Sequence, residues 1–511
     1  MFSCCRPPTR RTVLLLLVLG LLLLVVAQAV YAGDPTGDKT GAAADLTAAT
    51  AGQPTVGELA AELGHAKIAI NYVWVLMAAF LVMFMQAGFA MLETGFVRSK
   101  NAVHTMMMNL IIYAIGITVF YFFGFALMFG GAGPLATLGG GAGLNGEFAI
   151  KLFGKDFGLF GTTGWALGGV NYDVAVFALF MFQVVFMDAM ATIPTGAMAE
   201  RWRFANFCLY GVAAAALIYP FFGNWVWGGG WLAKLGTNFA LGNGYVDFAG
   251  SSVVHAVGGL TALVGAYLLG PRIGKFGKNK EPRAIPGHDI PIAMLGAYIL
   301  AFGWFGFNAG STLAGGDLRL AVVAVNTALA SCAGAISAML FMHKLTGKFD
   351  APMSTNGFLA GLVAVTASCA FIPSWAAVVI GLVAGVIVCA VVILVERVFH
   401  IDDPVGAVAV HGANGLWGCL ALGLFADGTY GKGLNGVAHG VRGLFFGGSD
   451  QFVAQLIGVL TCIVYTLVLA FVVFKVINKL TPMRSKPEDE LAGLDVPETG
   501  VEAYPDYVIQ G

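Results

Sequence analysis

The chain has 511 residues, 58% of them hydrophobic and 11% charged, with a mean hydropathy of +0.82. That leaves too little polar surface to clothe a soluble protein, and a formal net charge of −1 excludes the basic face that a nucleic-acid partner needs. The composition is that of an all-α integral membrane protein whose solvent is the lipid bilayer.

Arg6, Arg10 and Arg11 precede a leucine-rich run at 13–26, and the small residues Ala27, Ala29 and Ala32 follow it. This pattern predicts a secretory signal peptide over 1–32 rather than an uncleaved anchor. A polar, Gly/Ala/Thr-rich segment at 33–66 follows, to be placed outside the cytoplasm. Apolar segments then recur, each long enough to cross about 30 Å of hydrocarbon as a helix rising 1.5 Å per residue. They lie near 68–92, 103–129, 174–199, 204–227, 247–270, 289–312, 319–343, 355–373, 375–397, 404–426 and 452–479, which makes eleven transmembrane helices in a membrane domain over 67–480. The Gly-rich stretches 130–172 and 427–450 read as long loops, and 481–511 as a tail.

Basic residues orient these spans, because they accumulate on cytoplasmic loops. One set of alternate loops, with the tail, holds sixteen Lys and Arg, among them Arg98, Arg201, Arg272 and Lys344; the other set holds seven over longer sequence. The amino terminus is therefore expected outside the cell membrane and the carboxyl terminus in the cytoplasm. The eight cysteines show neither metal nor disulfide spacing, and nothing points to a cofactor or to an enzyme.

Within the fifth segment, VDFAGSSVVHAVGG at 246–259 places His255 eight residues after Asp247. In the tenth, IDDPVGAVAVHGANG at 401–415 places His411 eight residues after Asp403, with glycine again at the third and twelfth steps. The fifth helix enters from outside and the tenth from inside, so the copies run antiparallel. Eight residues carry each imidazole roughly 12 Å inward, near the midplane. This is the pattern of an inverted-topology 5+5 repeat plus a final helix, with the working site between the halves. The other histidines, at 65, 104, 288, 343, 400 and 439, fall in loops or at segment ends. Two rival readings are neutral packing imidazoles and bis-histidine haem ligation, for which one ligand per helix is a poor fit. Both aspartates stand where a carboxylate caps a helix, and Asp247 also stands where it could stabilise a cation arriving from outside.

Trp227 closes the fourth helix at the outer face, and Phe307 and Ser311 close the sixth there. Phe182 and Phe186 lie one turn apart on the third. Singly, such aromatics belong to interfacial belts or cores. Beside an outer carboxylate and a midplane histidine pair, they form a set that would hold a small cation on ring faces, at about 0.5–2 kcal/mol each, with a hydroxyl to accept its N–H.

At these residues the sequence resembles the Amt/Mep/Rh family of ammonium transporters. The resemblance rests on DFAGSSVVH, GAMAERWRF (196–204), VWGGG (226–230), WFGFNAGS (304–311), DDPVGAVAVHG (402–412) and AGLDVPETGVEAY (492–504), in order from about residue 68 to the tail. It implies a homotrimer with one pore per subunit. Trp227, Phe186 and Ser311 would recruit ammonium with Asp247 behind them, Phe182 and Phe186 would form a stacked gate, and His255 and His411 would line the pore beside Phe307. Trp227 and Ser311 favour the Amt/Mep branch. Asp188 departs from the pattern, since many relatives carry a small neutral residue there, and Ser251 and Ser252 replace a stretch that often holds a second glycine. The implied function is recruitment of ammonium, or its analogue methylammonium, followed by deprotonation and conduction of ammonia. The alternative is a sensor of the same fold with little flux. The acidic segment 488–511 resembles family tails that dock a PII-type signalling protein.

Overall fold

The computed structural model describes residues 55–431 and 440–505; the expected signal peptide, Lys432 and His439 lie outside the described residues. Helices carry the fold: α1 (Val56–Phe96), α2 (Ser99–Phe129), α3 (Val174–Met198), α4 (Phe204–Trp227), α5 (Ser251–Leu269), α6 (Ile290–Gly310), α7 (Leu320–Thr346), α8 (Ala351–Val365), α9 (Ser374–Arg397), α10 (Val408–Phe425) and α11 (Ser449–Leu480). Among the described residues ten of them are long and apolar enough to cross a membrane. The chain is a multi-pass membrane protein.

The shorter helix, α8, departs from the span expected at 355–373. It stops at Val365, and turns occupy 366–372. Non-helical backbone survives at membrane depth only where protein satisfies it. Here Asn326 donates to the carbonyls of Cys369 and Ile372, Phe248 donates its N–H to the Ala367 carbonyl, and the Ala367 N–H donates to Ser251 Oγ.

The stretch 130–172 is also not a plain loop. It holds an antiparallel hairpin, β1 (Glu147–Leu152) and β2 (Lys155–Gly161), with Leu152 opposite Lys155 across a turn at Phe153 and Gly154. Glycines at 154, 158 and 161 hid its alternation in the sequence. The end of α4 pins the hairpin: Trp225 donates its indole N–H to the Leu159 carbonyl at 2.9 Å, and Asn224 donates to the Glu147 carboxylate at 3.1 Å.

Lipid offers helices no hydrophobic reward for associating, so close backbone approach must hold them. α1 and α6 lie antiparallel, Gly95 against Asp289 and Ala293 at one end and Gly306 against Ala78 farther along. α5 and α10 cross more closely still. A Cβ on Gly259 would lie 2.1 Å from the Gly412 nitrogen, and one on Gly415 would lie 2.3 Å from the Ser251 carbonyl.

Charge collects where α3, α5 and α10 meet the tail. Arg272 donates to both oxygens of Asp402, at 2.8 and 3.0 Å, and to Glu200 at 3.0 Å; Arg98 pairs with the same glutamate. Burial alone would raise the Asp402 carboxyl, but the Arg201 and Arg272 guanidinium groups hold it well below the usual carboxylate range. The tail folds onto this base instead of extending from it. Two of its acidic side chains turn inward: Glu490 binds Arg484 and the Ile273 N–H, and Asp495 accepts the His104 N–H at 2.8 Å. His104, one turn into α2, is thereby buried as deeply as the two histidines singled out in the sequence.

Replacing Arg272 by alanine would strand Glu200 and Asp402 as buried, undercompensated charges, at a cost of about 3–5 kcal/mol. A clear fall in melting temperature in detergent is expected, only partly recovered by Arg272→Lys; an unchanged melt would show that the network does not hold the base. Glu147 gives a pH test. Burial pushes its carboxyl from an ordinary value of 4.5 up to about 7, against the opposing pull of Asn224 and Lys234. The folded state then binds the proton more tightly than the unfolded chain, so its stability falls as pH rises from about 4.5 to about 7. Glu147→Gln should lose that dependence, and its melting temperature should gain on the parent's across this window.

Candidate functional site

Asp247 and Asp403 build two matching entrances. Asp247 is fully buried, and its carboxylate accepts the backbone N–H groups of Gly250, Ser251, Ser252 and Val253 together with the Ser252 hydroxyl, at 2.6–3.0 Å. Asp403 accepts the N–H groups of Gly406 and Val408. These bonds satisfy donors that the first turn of a helix leaves unpaired. Wrapping the backbone around the carboxylate requires a left-handed residue three places on, and glycine supplies it twice, at Gly250 (φ +112°) and Gly406 (φ +80°). Of the two roles open for Asp247, its side chain performs the cap. Its carbonyl does something else: it accepts the Trp227 indole N–H at 2.7 Å.

Past each entrance the chain makes a π-helical turn, Ser251–Ala256 in α5 and Val408–Ala413 in α10. Each turn carries its histidine, and π-turns commonly mark functional positions. The α5–α10 glycine crossing brings the imidazoles together: Nδ1 of His255 lies 3.1 Å from Nδ1 of His411, with ring centroids 5.2 Å apart and planes 22° from parallel. One nitrogen must carry the hydrogen and the other accept it, so the neutral pair contains two complementary tautomers. Rings side by side in this way do not present the opposed nitrogens between which a haem iron is held. Among the described residues no group of His, Cys, Asp and Glu is arranged to hold a metal ion.

An aromatic column leads to the pair. Trp227 meets Phe186 edge-on at 6.2 Å; Phe186 stacks on Phe307 at 4.0 Å and 24°; Phe307 lies 5.3 Å from the His255 ring, which also stacks on Trp304 at 4.9 Å. Below His411, Phe89 stands at 6.1 Å. The sequence predicts a stacked pair of Phe182 and Phe186, but the closest stack joins α3 to α6, Phe186 on Phe307. Phe182 and Phe186 project from successive turns of one helix and sit tilted by 49° at 4.7 Å, whereas Phe307 comes from α6 and meets Phe186 face to face. Ser311 is buried at the Trp227 end and donates its hydroxyl hydrogen to the Phe307 carbonyl at 2.8 Å, which leaves its lone pairs as acceptors. Trp227, Phe186, Phe307, His255 and His411 thus adjoin one another along one column.

Asp188 does not join them. Two residues past Phe186 is about 200° around the helix. It accordingly faces α2, where its Oδ1 lies 4.0 Å from where a Gly116 Cβ would stand. Sequence reasoning passed over three residues of the site. Trp304 and Phe89 wall the histidines, and Glu93 lines a cavity with His411 and Asn356. The available signal was spacing: Phe89 and Glu93 in α1 repeat the interval of Phe307 and Ser311 in α6.

Comparison with known proteins identifies the family. The model of the Ammonium Transporter Family matches residues 73–504. Ammonium transporter Amt2 of Archaeoglobus fulgidus is 44% identical over 467 residues, 91% of this chain and 94% of its own. Ammonium transporter Amt1 of Haloferax mediterranei is 37% identical over 86% of this chain and 80% of its own. Among solved structures, one described as a sensor Amt protein superposes with a TM-score of 0.73 at 34% identity, covering 85% of this chain and 99% of that one. Mep2 of Candida albicans gives 0.69 at 25% identity, covering 82% and 87%. The chain belongs to the ammonium transporter family.

Proposed function

We propose that the protein carries ammonium across the cell membrane by removing its proton at the mouth of a dry pore and conducting ammonia past the histidine pair. The observation that carries this reading is the direct Nδ1–Nδ1 contact of His255 and His411 at the end of an unbroken aromatic column. Ammonium and potassium have nearly the same size and charge, so width alone does not sort them. Moving either ion into an apolar pore costs of order tens of kcal/mol by Born solvation, and the neutral base escapes most of that cost. A pore walled by Phe186, Phe307 and Trp304 therefore selects whichever species can leave its charge behind.

In this scheme ammonium docks on the ring faces of Trp227 and Phe186, and Ser311 accepts one of its N–H bonds. Asp247 acts through position, fixing Trp227 by its carbonyl and the α5 entrance by its carboxylate. Phe186 and Phe307 form the gate, with Phe182 behind them. The imidazole pair, donor facing acceptor, offers the released proton a separate path. The Trp227 end would face outside and the tail the cytoplasm, as the basic loops require, with α8 completing eleven crossings and residues 67–480 forming the membrane domain in an inverted 5+5 repeat. A homotrimer with one pore per subunit fits the family. The tail, packed on α2 through Asp495, is the surface for a PII-type partner.

Alanine at His255 or His411 should abolish ammonium-evoked current from the reconstituted protein on a solid-supported membrane; undiminished current would discard the proton path. The sensor reading draws support from the solved sensor Amt protein at 34% identity. Cells lacking their own transporters separate the two: a transporter gives methylammonium uptake well above background, and a sensor gives none.

A further inference from the structure

The two ends of the column are furnished differently, and the difference falls on one pair of positions. α1 and α6 run antiparallel in contact, Gly88 backing on Gly296 and Leu300. Phe89, Glu93 and Thr94 repeat along α1 the spacing of Phe307, Ser311 and Thr312 along α6. Phe307 adjoins His255 and Phe89 adjoins His411. Glu93 thus holds, at the tail end of the pore, the place that Ser311 holds at the Trp227 end: a carboxylate stands in for a hydroxyl.

Its surroundings are unusual for a buried charge. Glu93 is 2% exposed; Oε2 accepts from Asn109 at 2.8 Å and from the Thr195 hydroxyl at 2.5 Å, and Oε1 accepts the Gly196 N–H at 3.1 Å. Among the described residues no Lys, Arg or His forms an ion pair with it. Buried charges are ordinarily paired. Yet Glu93 borders a cavity that it shares with His411, Phe89, Ile193 and Asn356, and Asn356 spends its amide N–H on the Val405 carbonyl at 3.0 Å, leaving its oxygen as an acceptor. A carboxylate and an amide oxygen around one cavity, beside an imidazole, are acceptors in want of a small cation with N–H bonds.

We propose that Glu93 and Asn356 form a second ammonium site, at the tail end of the pore, for the ion re-formed there. The inference rests on the transport reading. Ammonia passing His411 uses its lone pair to take the proton carried by the imidazole pair; an N–H bond forms, the pair returns to its neutral state, and the new positive charge meets the carboxylate. The outer site, built from rings and a hydroxyl, captures the ion without a charged ligand, whereas the inner one supplies the counter-charge at the point of exit.

The test uses full-length protein, oriented uniformly in liposomes, with ammonium jumps applied to either face on a solid-supported membrane. Glu93→Gln should raise the half-saturating ammonium concentration at the tail face tenfold or more, with less than a twofold change at the other face. Asn356→Leu, which touches none of the Glu93 hydrogen bonds, should shift the same face in the same direction; it decides the matter alone if Glu93→Gln does not fold. A half-saturation at the tail face that stays put in the folded variants, or an equal shift at both faces, overturns the inner site. Parent protein without any ammonium current overturns the transport reading, and the inner site falls with it.

Discussion

For His255 and His411 to touch through their Nδ1 atoms, two helices more than 150 residues apart in sequence must approach until little but backbone separates them. Gly259 against Gly412, and Gly415 against Ser251, meet that demand next to the rings. The same demand fixes the entrances. Each histidine lies eight residues beyond an aspartate whose carboxylate gathers the first free N–H groups of its helix, with a left-handed glycine to close the turn. The recurrence of Asp, Gly, His and Gly at one spacing is therefore a single construction made twice, each residue type required by the backbone conformation or the contact at its step.

Much of this was legible beforehand because lipid simplifies the physics. A helix in hydrocarbon must be long and apolar, so the spans emerge from hydropathy, and an ionisable group inside one stands out against its surroundings. Phe182 and Phe186 could be set on one face by helical period alone. Their partner could not: that Phe307 rather than Phe182 stacks on Phe186 depends on how α6 packs against α3, which no local pattern encodes. The hairpin at 147–161 escaped notice because its glycines erase the period of two, and the end of α8 at Val365 because apolar residues continue past it in a segment held by Asn326 and Ser251 from elsewhere. Arg272 registered only as one more basic loop residue, although it joins the ends of α3 and α10 through Glu200 and Asp402.

Charge is distributed by depth. At the base of the bundle, guanidinium groups and carboxylates neutralise one another in a buried network, the arrangement under which low dielectric is tolerable. Along the column, among the described residues, stand the rings of Trp227, Phe186, Phe307 and Trp304 and the two imidazoles. Asp247 and Asp403 stand at the starts of α5 and α10, and their carboxylates are taken up by backbone N–H groups. Glu93 is the exception on the tail side, a carboxylate held by hydrogen bonds and, among the described residues, in no ion pair.

The crossing of α5 and α10 bears on how such a protein can move. Carriers that alternate access do so by rocking one half against the other about a central site. Here α5 and α10 are clasped beside the histidine pair by glycine main chain, Gly259 on Gly412 and Gly415 on the Ser251 carbonyl. On the transport scheme proposed above, a scaffold clasped in this way suits a filter with the facing rings of Phe186 and Phe307 as a small shutter, rather than a seesaw.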